Sequence, residues 1–191
     1  MLCTGRSRSS DAPLVHYRRF FFMWELIGIV SFLAAAFLFA RWFGGVGVGA
    51  PWLPVRKQDI EAAFRLVDVG PDDVVIDLGS GDGRLLVEAA KRGARVVGYE
   101  LNPFMAWLSR VRLKSFKDHA IIHRTNLLRA DVSHATVIFI FGMGTIMSAV
   151  EKKLRREARP DVRIVSFAFE LPGRTYEKKD GIALLYRLSE E

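Results

Sequence analysis

The stretch Val74-Val75-Ile76-Asp77-Leu78-Gly79-Ser80-Gly81-Asp82-Gly83-Arg84 decides how this chain folds. Its first three residues are a short β-branched run, the mark of a buried strand. Asp77 follows, and then Gly79, Gly81 and Gly83 alternate before a helical pattern begins. Glycines at a strand end let the backbone turn tightly and approach a ligand with no Cβ in the way. Open parallel sheets bind their ligands at that place, beyond the carboxyl ends of the strands.

Working outward, the pattern alternates. Downstream, Gly83 to Arg92 reads as a helix with Gly93 as its C-cap, and Arg95 to Tyr99 as a strand. Pro103 to Lys117 opens with proline in its first helical turn. Ala120–Arg124, Val137–Phe141, Arg163–Phe169 and Ile182–Arg187 read as further strands, with a charged helix at Thr145–Glu157. Upstream, Ile60, Ala63, Phe64 and Val67 recur at helical spacing until Gly70-Pro71 stops them. Strands alternating with helices predict an α/β fold, a Rossmann-like parallel sheet covered on both faces. After the fifth strand there is room for one closing strand, Ile182–Arg187, so the sheet is expected to be abbreviated toward the C-terminus.

Two cofactor classes use such a loop. The dinucleotide fingerprint is G-x-G-x-x-G, with a helix N-terminus facing a pyrophosphate. Here the spacing is G-x-G-x-G, flanked by Asp77 and Asp82. Two carboxylates repel a pyrophosphate and suit a ligand bearing an amino group and a sulfonium, the description of S-adenosylmethionine. The next strand runs into Glu100, whose two oxygens can accept from both hydroxyls of a ribose. That acid alone does not separate a nicotinamide dinucleotide from S-adenosylmethionine; the loop does.

A second feature stands at the other end of the chain. Phe21 to Ala40 (FFMWELIGIVSFLAAAFLFA) carries one charge, Glu25, and is long enough as a helix for the ~30 Å hydrocarbon core of a bilayer. Aromatic residues bracket it, as at membrane interfaces, and apolar residues go all the way round it, unlike a core helix with a single stripe. The expected division is a basic, disordered leader over 1–20, a transmembrane helix over 21–43, a Gly/Pro linker over 44–56 and the α/β domain over 57–191. Arg6, Arg8, Arg18 and Arg19 precede the helix, and Arg41, Arg56 and Lys57 follow it. Positive charge then slightly favours a cytoplasmic N-terminus, which strands the domain away from its cofactor. A translation start at Met23 would resolve this and place the domain on the cytoplasmic side as a single-pass protein. The expected membrane is a bacterial inner membrane, or the mitochondrial inner membrane in a eukaryote; a mitochondrial transit segment is the other reading of the leader.

Composition adds exclusions. The net charge of +7 fits nucleic acid or an anionic membrane surface and does not choose between them. Cys3 is the only cysteine, so an intramolecular disulfide and a thiolate zinc site are both out. His119 and His123 are spaced for a helix but fall at a strand, where that spacing has no ligand logic, and no metal is expected.

With these residues in view, Asp77–Pro103 (DLGSGDGRLLVEAAKRGARVVGYELNP) resembles the membrane-anchored lysine methyltransferases of mitochondria that modify the ATP synthase c subunit and the adenine nucleotide translocase, and their bacterial relatives. The likeness extends through Val137–Met143, the Glu151–Glu157 helix and, upstream, Ala50–Val55. It implies a class I methyltransferase in which Asp77, Gly79, Ser80, Gly81 and Gly83 form the S-adenosylmethionine loop, with Asp82 beside it. It further implies Glu100 at the ribose, Leu101 at the adenine, and Asn126 where the family tends to have an aspartate reading the adenine amino group. Two departures fall where a substrate would enter: Gly144 where the family often has proline, and Phe169-Glu170-Leu171-Pro172-Gly173-Arg174 in place of a Pro-rich aromatic segment.

The wall of an acceptor pocket is expected from Phe104, Trp107, Phe141, Met143 and Phe169, with no dedicated general base. With no substrate-binding insertion, the anchor and the Pro51–Lys57 segment are expected to help form the acceptor side. The bilayer and a membrane protein with a lysine at its interface are the expected partners, with a quinone or lipid acceptor, or a silent cofactor-binding module, as alternatives. Nucleic acid is not expected, because Phe141-Gly142-Met143-Gly144 lacks the Asn/Asp-Pro-Pro-aromatic signature of amino-methylating nucleic-acid enzymes. The sequence does not set the oligomeric state.

Overall fold

The computed structural model describes residues 12–43, 55–142 and 144–188. The expected linker glycines at 44–50, the prolines at 51 and 54, Met143, and the first part of the leader lie outside the described residues. The chain divides into two compact units, Met1–Arg41 and Trp42–Glu191.

A single helix, α1, runs from Ala12 to Phe43 and forms the described part of the first unit up to Arg41. It starts earlier than expected: residues 12–20, read above as disordered leader, are helical. Nothing between Ala12 and Phe21 breaks the hydrogen-bond ladder, since Pro13 sits in the first turn, where its missing N–H costs nothing. Within α1, Phe22–Phe39 is long and apolar enough to cross a membrane, and none of that stretch is buried. Its large side chains point outward on every side, Phe32 being 73% exposed.

The second unit is built on a seven-stranded sheet ordered β3-β2-β1-β4-β5-β7-β6. The strands are β1 (Val74–Leu78), β2 (Arg95–Tyr99), β3 (Ala120–His123), β4 (Val137–Ile140), β5 (Arg163–Phe167), β6 (Lys178–Asp180) and β7 (Ala183–Arg187). The first five are parallel, and β7 is inserted antiparallel between β5 and β6. Helices α2 (Lys57–Leu66), α3 (Arg84–Lys91) and α4 (Pro103–Arg112) share one core with Val75, Val96, Phe139 and Val165. Helix α5 (Gly144–Glu157) shares the other with Ile76, Leu78, Ile138 and Ile164. Successive residues of β1 thus feed opposite cores, the period-2 pattern of a strand covered on both faces.

The expected single closing strand needs correction, because the sheet closes with two. The missed one, β6, is Lys-Lys-Asp, three charged residues at an exposed edge with no apolar alternation to read. Charge on an edge strand blocks pairing with other chains. The abbreviation falls on the connection: Ala168 to Glu177 crosses from β5 to β6 without a helix.

At the amino ends of the strands, Asp73 ties three segments together. Its carboxylate accepts from Gly70 N (2.9 Å) and from Thr136 Oγ1 (2.5 Å), and pairs with Arg163. Thr136 Oγ1 in turn accepts from Val74 N (3.0 Å). Asp73→Ala orphans these donors, and a loss of about 2–3 kcal/mol in urea unfolding is expected.

Candidate active site

Strand order reverses between β1 and β4, which places the glycine loop at the switch point of the sheet. The loop folds back on the end of β2: Gly79 N and Ser80 N both donate to Tyr99 O, at 2.9 and 3.1 Å. Gly79, Gly81 and Gly83 all have positive φ. Gly83 has a second reason to be glycine: a Cβ there would lie 2.3 Å from Ser109 Oγ on α4. The tight approach of α3 to α4 depends on that missing atom.

Glu100 stands where expected, at the end of β2, and knits the loop to the next segment. Its Oε2 accepts from Gly81 N (2.8 Å) and its Oε1 from Asn102 N (2.7 Å). Asn102 then caps α4, its Oδ1 accepting from Phe104 N (2.9 Å) and Met105 N (3.2 Å).

The two aspartates of the loop are in opposite electrostatic states. Asp82 forms a fork with Arg84 (2.6 Å at the closest) and also pairs with Arg112 of α4 (2.6 Å). Burial raises its pKa, but the Arg84 hydrogen bonds and the two guanidinium charges outweigh that and hold it below the usual carboxylate range. Asp82 therefore does not offer a ligand the free charge expected of it: two arginines answer that charge, and sequence spacing alone could not show that α4 brings the second. Asp77 is the opposite case. It is 6% exposed, and no hydrogen bond or ion pair reaches its carboxylate among the described residues. Burial, then the charges of Glu100 and Asp82, push its pKa up to about 8.

A pocket beside Asp77 is lined by Gly79, Ser80, Gly81 and Asp82 from the loop and by Phe141 after β4, all singled out from the sequence. Val55, from the Pro51–Lys57 segment expected on the acceptor side, completes it together with Arg84, Leu85 and Phe167, which were missed. Phe167 was legible as the inward end of the Ile164-Val165-Ser166-Phe167 strand; its ring meets Phe141 edge-on at 6.3 Å. Val55 is there because Arg84 Nη1 donates to its carbonyl (3.3 Å). Gly83 shapes the loop without lining the pocket.

Other expected residues lie apart from that lining. Leu101 follows Glu100 and is half-buried. Asn126 is exposed, and its Oδ1 is committed to Leu128 N (2.9 Å) as a local cap. Phe104 and Trp107 stack on each other along α4 (5.8 Å). Phe169 is held beyond β5 by an unusual turn centred on Ala168, a non-glycine residue at φ 63°. Phe169 N donates to Phe167 O (2.8 Å), closing a positive-φ γ-turn, and Ser166 Oγ donates to Phe169 O. Among the described residues no group of acids, histidines or cysteines is arranged to hold a metal.

A family model described as the ANTKMT methyltransferase domain matches residues 77–178, over half the chain. The chain belongs to that family. Among curated relatives of this ANTKMT-type domain, the human lysine N-methyltransferase of the ATP synthase c subunit is 36% identical over 124 residues, covering 64% of this chain and 53% of that protein. A protein-lysine N-methyltransferase of Saccharolobus islandicus is 32% identical over 127 residues, covering 64% and 79%. The chain thus spans about half the length of the first of these relatives. Among solved structures, an RNA methyltransferase from Salinibacter ruber in complex with S-adenosyl-L-homocysteine superimposes with a TM-score of 0.70 at 28% identity, covering 73% of this chain and 95% of that one.

Proposed function

We propose that this chain is a membrane-anchored methyltransferase that uses S-adenosylmethionine to modify a lysine amine of a membrane protein. The observation that carries the cofactor reading is Asp77, a buried carboxylate with no cation beside it, aimed at the pocket under a glycine loop. Burying an unanswered carboxylate costs free energy, and a ligand with a positive amino group recovers it. The Ser80 hydroxyl, buried without a partner among the described residues, is a further polar group at the site. A pyrophosphate would meet Asp77 and Glu100 at the same place, which disfavours a dinucleotide.

S-adenosylmethionine, when bound, supplies a methyl carbon already activated by its sulfonium. The chain's residues then have three tasks. Asp77 and Glu100 hold the polar ends of the cofactor. The Phe141 and Phe167 rings exclude water from the pocket beside the loop, and an apolar wall lowers a lysine pKa by desolvating its charge. No general base is assigned, so the amine loses its proton to solvent before it is held in line, and positioning supplies up to roughly 7–11 kcal/mol of the barrier reduction.

The anchor reading draws on Phe22–Phe39, and the lysine reading on the names of the curated relatives. A second reading, RNA, has one observation in its favour, the likeness to the Salinibacter RNA methyltransferase. One experiment separates them. Tritiated S-adenosylmethionine and the full chain are added to extracts of cells lacking the protein, and label is followed into protein, lipid and RNA fractions. A labelled membrane-protein band is expected, with label in lysine after hydrolysis. Label confined to RNA or lipid would overturn the acceptor assignment, and none anywhere would mean a silent binding module.

The γ-turn at Ala168 gives a narrower test. Positive φ costs an L-residue about 1–2 kcal/mol, and stored strain of this kind clusters at functional sites. Ala168→Gly is expected to leave stability equal or slightly raised while lowering kcat for the acceptor severalfold, because Phe169 loses its fixed direction. Single-turnover kinetics with unchanged cofactor affinity would check this.

A further inference from the structure

Among the described residues of the second unit, the outer face of α4 is the one helix face that exposes a tryptophan. Its buried side is Met105, Ala106 and Ser109, continued by Leu113. Its outer stripe is Trp107, Arg110 and Val111, at i, i+3 and i+4, so these three share one side of the helix, and Lys114 opens the short 3-10 turn, Lys114–Phe116, that follows it. Trp107 is 55% exposed and Val111 49%, and the Phe104 ring braces the indole. From Leu101 to Lys117 there is no acid, against Arg110, Arg112, Lys114 and Lys117. Arg112 is taken by Asp82, and Arg110 donates to Ile122 O (2.9 Å). Lys114 and Lys117 are exposed and unpaired among the described residues.

An ordinary solvated helix face carries both signs. Helix α3 does so, with Glu88 paired to Lys91 and Arg92, and so does α2, with Lys57 paired to Glu61. A convex helix face with one exposed tryptophan, one aliphatic residue and cations of a single sign has the composition of an interfacial helix. Tryptophan prefers the headgroup level of a bilayer, and lysines reach past it to anionic phosphates.

We propose that this face of α4, together with the turn that follows it, docks on an anionic lipid bilayer, with Trp107 and Val111 of the helix entering the interface and Lys114 and Lys117 of the turn on the headgroups. The proposal rests on the reading of the chain as membrane-anchored, which keeps this unit near a bilayer. Helix α4 begins directly after Glu100, Leu101 and Asn102. Docking it therefore holds the cofactor loop close to the membrane surface, where an interfacial lysine would be presented.

The test uses the full chain with Trp24, Trp42 and Trp52 changed to phenylalanine, leaving Trp107 as the one fluorophore. It is reconstituted in nanodiscs containing brominated phosphatidylcholine, with or without phosphatidylglycerol. Trp107 emission is expected to be quenched strongly only when phosphatidylglycerol is present. Lys114→Gln with Lys117→Gln is expected to lower the docked-to-free ratio by about thirtyfold, with the thermal unfolding midpoint unchanged. A chain that inserts into the discs yet shows equal quenching with and without phosphatidylglycerol overturns the proposal and leaves the anchor intact. A chain that fails to insert overturns the anchor reading instead. Quenching is then measured on added brominated vesicles containing phosphatidylglycerol, where it would support docking and its absence would overturn it. Protection of Trp107 by polyglutamate in preference to vesicles would assign the face to an acidic protein and overturn the lipid.

Discussion

Asp77→Asn should make the cofactor-free protein more stable at pH 8 and above while weakening S-adenosylmethionine binding by at least a hundredfold. The two effects have one cause. Asp77 titrates near 8 in the folded chain, because of its burial and the charges of Glu100 and Asp82, against an ordinary value of 3.8. Between those values the folded state binds a proton that the unfolded state has released, so stability falls as pH rises through the window. It is fully present below about 4 and lost above about 8. Asparagine cannot ionise, so its unfolding free energy should stay flat over the same range and exceed that of the wild type at pH 8–9 by about 3–5 kcal/mol.

The cofactor reverses the sign. A cationic amino group favours ionised Asp77, so binding below pH 8 should release close to one proton, and affinity should weaken by up to about tenfold per pH unit as pH falls. Calorimetry in two buffers of different ionisation enthalpy measures that proton. Binding without proton release at pH 6.5, or wild-type affinity in the asparagine variant, would show that Asp77 does not face the cofactor.

Glu100 should give the second large effect, graded by how much of the side chain is removed. Glu100→Ala leaves Gly81 N and Asn102 N without their acceptor, at about 1–3 kcal/mol for each buried group, and cofactor binding should fall below detection. Glu100→Gln keeps one acceptor oxygen and turns an NH2 donor toward the other backbone N–H, so stability should fall by about half as much as in Glu100→Ala while affinity drops about ten- to a hundredfold. The same change removes the second-ranked cause of the Asp77 shift. The pH midpoint of the stability loss should therefore move down in Glu100→Gln, and an unmoved midpoint would mean the two carboxylates are not coupled.

What the sequence disclosed depended on how local each feature was. The five parallel strands and the loop between β1 and α3 were legible because apolar runs and glycine spacing act over a few residues. The chain's own Glu100 was legible for the same reason. Three features were not. Strand β6 is made by pairing with β7 and carries no apolar pattern. The start of α1 at Ala12 comes from continuation of a backbone ladder through a polar stretch. Asp82 read as a ligand-facing charge until α4 placed Arg112 against it, a partnership set by topology and not by spacing. Phe167 and Leu85 at the pocket wall were missed because lining a cavity depends on which neighbours stop short of filling it.

The missing helix between β5 and β6 has a bearing on how such a chain could diversify. Backbone bonds fix residues 168–177 to the sheet at the two ends, Ala168 N to Ile182 O and Glu177 N to Leu185 O (both 2.8 Å), while residues 172–176 between them have one polar side-chain tie outside the segment, Arg174 to Glu151 (3.1 Å), among the described residues. The cofactor loop, by contrast, is stitched to the end of β2 through backbone groups and cannot be altered without disturbing the sheet. A saturation library should accordingly tolerate most exchanges at 172–176 and few at 77–83. Acceptor choice would then be free to drift while cofactor choice stays put.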